Sequence, residues 1–187
     1  MEGDAPPRPY TRLDVFKAVV FALLAGDTVY YAIAGTRSKA LDAAAWLLLL
    51  ALFEAETRFA AHLQTRWLQA SVRAIRLAAA LGIFGAAVGY VLENDTLDAV
   101  NTLLWIAVVV LLEIEVRYRL PVMRARVVFS AVAVLLYGAL AALVLVWAAR
   151  GEWLDAYDAL LWLIAFATIE LDLMGMNKIA AAPIKSC

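Results

Sequence analysis

A single cysteine, Cys187, stands at the last position of the 187-residue sequence, and a single histidine, His62, stands in its first half. No disulfide can form within the chain, and no iron–sulfur cluster or cysteine-based zinc site can be built from it. A bis-histidine haem and a multi-histidine metal centre fall away too, because one chain supplies one imidazole. A metal held by His62 with Glu54 or Glu56 is the remaining arrangement, so the metal question stays open, and no cofactor is expected. There is no serine–histidine or cysteine–histidine pairing and no histidine-rich motif, which makes an enzyme the less favoured class. Charged residues make up 18% of the chain and the formal net charge is -1, so the basic footprint of a nucleic-acid binder is missing.

Apolar residues are abundant instead. They form 65% of the chain, with a mean hydropathy of +0.81, against about 45–50% in a soluble domain. Six apolar stretches follow a proline-bearing arm at 1–12: roughly 13–34, 41–60, 72–92, 97–117, 125–149 and 154–174. Each approaches the ~20 residues that cross a bilayer as a helix. Backbone in hydrocarbon must satisfy its own hydrogen bonds, so helices are the expected state. The fold class is therefore all-α: a polytopic membrane protein with six transmembrane helices in a single domain, 1–187, whose solvent is the lipid bilayer. The first stretch also resembles a secretory signal, with Arg8, Arg12 and Lys17 before it and Ala32-Ile33-Ala34 at its end. Cleavage is not expected, because the stretch is one part of a repeat.

That repeat is the main motif. Asp42, Trp46, Glu54 and Glu56 recur as Asn101, Trp105, Glu113 and Glu115, and again as Asp158, Trp162, Glu170 and Asp172. The shifts are 59 and 57 residues, without gaps. Gly26, Tyr31 and Gly35 follow the same register onto Gly85, Tyr90 and Asn94, then Ala142, Trp147 and Gly151. A fixed period of this kind defines the unit of architecture. The unit is a helical hairpin, with copies at roughly 12–60, 71–119 and 128–176. A two-helix unit re-enters the membrane in the same direction each time, so the copies are parallel and related by an axis along the membrane normal. A pseudo-threefold arrangement follows. Gly35, Asn94 and Gly151 are expected to take the left-handed conformations of tight turns. Asp42, Asn101 and Asp158 are expected near the start of the second helix as caps or first-turn residues. Trp46, Trp105 and Trp162 are expected near the interface, with their N–H groups in reach of water or headgroups.

Orientation follows from the basic residues. Thirteen of the 16 Lys and Arg lie on one side, and only Arg37, Lys39 and Arg150 on the other. The positive-inside rule then places both termini in the cytoplasm and the chain in the plasma (inner) membrane. A homo-oligomer or a larger membrane complex is compatible with the short loops.

The repeated acids suggest two functions. Glu54, Glu113 and Glu170 lie roughly 20–24 Å along their helices and would form a carboxylate ring near the inner face. Such rings attract cations and permit proton coupling. This gives a channel or transporter for a cation or proton-coupled small solute, with Glu56, Glu115, Asp172 and Asp27 as further candidates. The other function is a non-catalytic membrane subunit, assembly factor or scaffold. In it the acids only pair with arginines one turn away: Glu54 with Arg58, Glu113 with Arg117, Glu115 with Arg119. The third copy has Met174 and Met176 at those positions, so Glu170 is expected to be the most demanding of the three. Asp27 breaks the repeat, being matched by Ala86 and Leu143, and is expected to pair with Arg37, Lys39 or nearby aromatic donors. Gly82, Gly85 and Gly89 are spaced for close helix packing.

Overall fold

The computed structural model describes the backbone of residues 12–58, 65–118 and 124–180, and the side chains of 15–57, 65–115, 117–118 and 124–168. The regular elements among the described residues are six helices: α1 Arg12–Ala34, α2 Arg37–Arg58, α3 Arg66–Leu92, α4 Thr96–Arg117, α5 Arg126–Arg150 and α6 Trp153–Ala180. Four stretches are long and apolar enough to cross a membrane: Val15–Ala34 in α1, Arg66–Glu93 on α3, Thr96–Glu115 in α4 and Arg126–Arg150, which is α5. α2 is of similar length, 22 residues, but carries six charged ones, Arg37, Lys39, Asp42, Glu54, Glu56 and Arg58.

The helices pack in chain order. Each lies against the next, and α1 closes back on α6, so the main contacts run round a ring. Short turns join α1 to α2, α3 to α4 and α5 to α6 at one end of the bundle, called the turn end below. Two of those turns reverse through left-handed residues, Asn94 at φ 59° and Gly151 at φ 79°. Asparagine tolerates that region and glycine is unhindered there. Gly35 differs from the expectation. It does not adopt positive φ, and its lack of a side chain serves a close approach: a Cβ there would lie 2.7 Å from the Tyr31 carbonyl oxygen, which accepts the Gly35 N–H at 3.0 Å.

The outer faces are apolar. Phe84, Val91 and Leu92 on α3, and Val127, Leu135 and Leu145 on α5, are all more than 60% exposed. Surface of this kind, spread along several helices, exceeds what a water-soluble monomer shows and suits a lipid environment. The core inside the ring is built from Leu24, Trp46, Leu50, Trp105, Val108, Leu140, Leu161 and Trp162.

α2 and α3 approach most intimately through glycine. A Cβ on Gly82 would sit 3.3 Å from the Cβ of Ala45, and one on Gly89 would collide with the Ser38 hydroxyl. Gly85 faces Leu41 with ordinary room, 3.7 Å. Small residues let backbones come close where no water drives the association. The packing role expected of the three glycines is what the structure gives them, most tightly at Gly89.

Candidate functional site

Three layers of side chains meet inside the bundle near the turn end. On α2 the positions are 39, 42 and 46; on α4 they are 98, 101 and 105; on α6 they are 155, 158 and 162. Steps of three and four residues keep each set on one helix face.

The outermost layer is ionic. Lys39 Nζ lies 3.0 Å from Asp98 Oδ2 and donates to Asp155 Oδ1 at 2.7 Å. Tyr31 of α1 donates its hydroxyl to the same Asp155 oxygen at 2.8 Å, and the Lys39 ammonium stands 5.8 Å from the Tyr31 ring centroid. One ammonium thus joins α2, α4 and α6, with α1 tied in by the phenol. The turns help to hold this layer. Asp95 caps α4 by accepting the backbone N–H of Asp98, and Ser38 donates to Glu93 at 2.7 Å.

The second layer is Asp42, Asn101 and Asp158. Each lies five residues past the first residue of its helix, 37, 96 and 153, so none is a cap. The cap of α4 is Asp95, and that leaves the repeated Asp or Asn a turn deeper, facing inward. Asp42 Oδ2 accepts from Thr102 at 3.0 Å and from Tyr90 at 3.4 Å. Asp42 Oδ1 and Asn101 Oδ1 are enclosed without a hydrogen-bond partner. Asp27 of α1, 5% exposed, has its carboxyl beside that of Asp158. Lys39 goes to Asp98 and Asp155 rather than to Asp27, which corrects one of the partners expected for Asp27.

The third layer closes the site from below. Trp46, Trp105 and Trp162 are 7%, 4% and 7% exposed. Trp46 stands 6.5 Å from Trp105 and 6.3 Å from Trp162, ring to ring, and Phe166 stacks on Trp105 at 4.6 Å. These are the distances of favourable aromatic pairs. The expectation that the tryptophans sit at the interface with their N–H groups wetted is corrected here. They share the face of the Asp or Asn one turn earlier, and that face points into the bundle. Trp46 Nε1–H is buried, and the acceptor beside it is the Asp42 carboxylate.

Between the layers lies a cavity of about 30 Å³, enough for one or two waters or a cation of similar size. Its lining includes Asp42, Asp98, Asp155 and Asp158, the three central tryptophans, Trp147, Tyr31 and Tyr90. Lys39 is the one cation among its described lining residues. A wider vestibule of about 300 Å³ lies towards the turns, lined by Asn94, Asp95, Arg150 and Glu152. Lys39 and Asp155 border both spaces, so their ion pair stands between them.

The glutamates of the repeat lie at the opposite end. Glu113 pairs with Arg117 on its own helix, with the two side chains 56% and 70% exposed. Glu56 pairs with Arg76 of α3. Glu54 is half-buried, and Glu115 is exposed. Glu170 and Asp172 belong to α6, but their side chains lie outside the described ones, as do Arg58, Arg119 and His62. The described residues hold no group of three or more His, Cys, Asp or Glu placed to bind a metal ion.

Lys39, Asp98 and Asp155 were not singled out by the motif, although they obey the same shifts of 59 and 57. A search for similar residues passes over a lysine aligned with two aspartates. Comparison with protein-family models, with curated proteins and with solved structures finds no match to this chain.

Proposed function

We propose that the chain is a transporter or channel for a cation or proton-coupled small solute, and that its charge-holding site is the aspartate-rich cavity at the turn end. The observation that carries this reading is the charge balance of the cavity. Four aspartates line it, Asp27 stands beside Asp158, and Lys39 is the described cation among them. Carboxylates withdrawn from water need protons, a bound cation or further basic partners. A site that holds such charge along the axis of a helix ring, behind a vestibule, is suited to taking up cations from one side.

The frame of the proposal is six spans in three parallel hairpins about a pseudo-threefold axis. Residues related by the 59- and 57-residue shifts meet one another in the ionic layer and in the tryptophan layer, and the helices close a ring in chain order. The basic asymmetry then puts both termini in the cytoplasm and the turn end outside. The Glu56–Arg76 and Glu113–Arg117 pairs favour a second reading, a non-catalytic subunit whose acids only balance arginines.

Flux into proteoliposomes separates the two. Asp42→Asn and Asp158→Asn are expected to lower cation or proton flux at least about tenfold while helicity by circular dichroism stays unchanged. Flux equal to wild type in both variants, or absent in wild type, overturns the transport reading.

A further inference from the structure

We infer that the turn-end cavity is a seat for a small ammonium cation, and that the Lys39 side chain is the tethered occupant which a free ligand displaces. The inference rests on the transport reading of this cavity and names the class of its ligand.

Lys39 already shows what the site recognises. Its ammonium is held by two carboxylates, Asp98 and Asp155, and lies 5.8 Å from the centroid of an aromatic ring, Tyr31. Carboxylates with aromatic faces are the surroundings that stabilise an alkylammonium, which is both a hydrogen-bond donor and a cation attracted to π systems. The same chemistry continues one turn deeper, where no ammonium reaches. Asp42 Oδ1 and Asn101 Oδ1 are enclosed and unpartnered acceptors, and Trp46, Trp105, Trp147 and Trp162 supply the walls. Trp46 is 7% exposed and lines the cavity beside the Asp42 carboxylate. Enclosed acceptors without a close partner in one cavity describe a place for a ligand that carries N–H donors.

The size of the space bounds the ligand. A volume of about 30 Å³ with Lys39 in place fits a cation of the size of ammonium or methylammonium. A ligand with N–H donors also answers the free acceptors, which a tetraalkylammonium cannot do. The described donor set does not gather three metal-type ligands, so it does not favour a divalent ion. Lys39 borders both the cavity and the vestibule. Its long flexible stem lets the ammonium swing towards Asp95 and Glu152 in the vestibule when another cation takes its place.

The test uses purified full-length protein in detergent, with intrinsic tryptophan fluorescence as the readout because four tryptophans line the cavity. Ammonium, methylammonium, tetramethylammonium and sodium chlorides are titrated at constant ionic strength. Ammonium and methylammonium are expected to give a saturable change, and tetramethylammonium and sodium none. Lys39→Met is expected to tighten methylammonium on the order of tenfold or more, since a competing unit charge leaves the seat. Lys39→Arg retains a cation and is expected not to tighten it. Asp42→Asn is expected to abolish the response. A folded Lys39→Met protein without a saturable response overturns the inference, as does an equal response to all four salts. If Lys39→Met does not fold, the comparison of wild type with Asp42→Asn decides, and identical titrations overturn it. Sodium or proton flux without ammonium binding leaves the transport reading standing and removes this one. Ammonium binding without flux of any cation does the reverse.

Discussion

Replacing Gly89 with alanine tests the tightest of the α2–α3 glycine contacts. The added Cβ would collide with the Ser38 hydroxyl and lie 3.2 Å from the Ser38 Cβ, so α2 must yield as well as the hydroxyl. Overpacking of this kind costs about 1–3 kcal/mol. Turning the Ser38 hydroxyl away breaks its bond to Glu93, a further loss of about 1 kcal/mol. Alanine returns about 1 kcal/mol of helix propensity over glycine. The net expectation is destabilisation by about 1–3 kcal/mol. Gly82→Ala meets Ala45 at 3.3 Å, a milder squeeze that the propensity gain roughly offsets. Gly85→Ala has 3.7 Å of room and is expected to be neutral or to stabilise by up to about 1 kcal/mol. The order Gly85 above Gly82 above Gly89 is read from unfolding by sodium dodecyl sulfate in mixed micelles, followed by far-ultraviolet circular dichroism. Adding Ser38→Ala to Gly89→Ala removes the hydroxyl clash and is expected to recover about half of the loss. A Gly85→Ala protein as weak as Gly89→Ala would show that α2 and α3 do not meet along this glycine face, and would refute the packing argument.

Two further outcomes are expected. Reporter fusions in the turns near residues 37, 95 and 152 should all report the side opposite the termini, and one of the three on the terminal side breaks the hairpin topology. Glu113→Gln removes an exposed pair one helical turn apart and should shift stability by about 0.5 kcal/mol or less in the same unfolding assay, with flux unchanged; a loss of flux would return the repeated glutamates to the centre of the mechanism.

The helical character and the approximate bounds of all six helices can be read from the sequence alone. Apolar runs of this length mark the helices, and the recurrence of Trp46, Trp105 and Trp162 marks residues that meet in the core. The short turns are legible too, because Asn94 and Gly151 are residues suited to positive φ. What periodicity could not assign was the inward face. Acids near either end of a helix look alike in a linear string, and Glu54, Glu113 and Glu170 stand out there because they are similar to one another. Tertiary packing selected instead the face running through 39, 42 and 46 and its counterparts. There Lys39 stands opposite Asp98 and Asp155, and the tryptophans close the space beneath them. In the ionic layer the residues that meet complement rather than resemble each other, since three like charges would repel. A repeat search rewards resemblance, so the ionic layer became visible only when folding brought the three helices together.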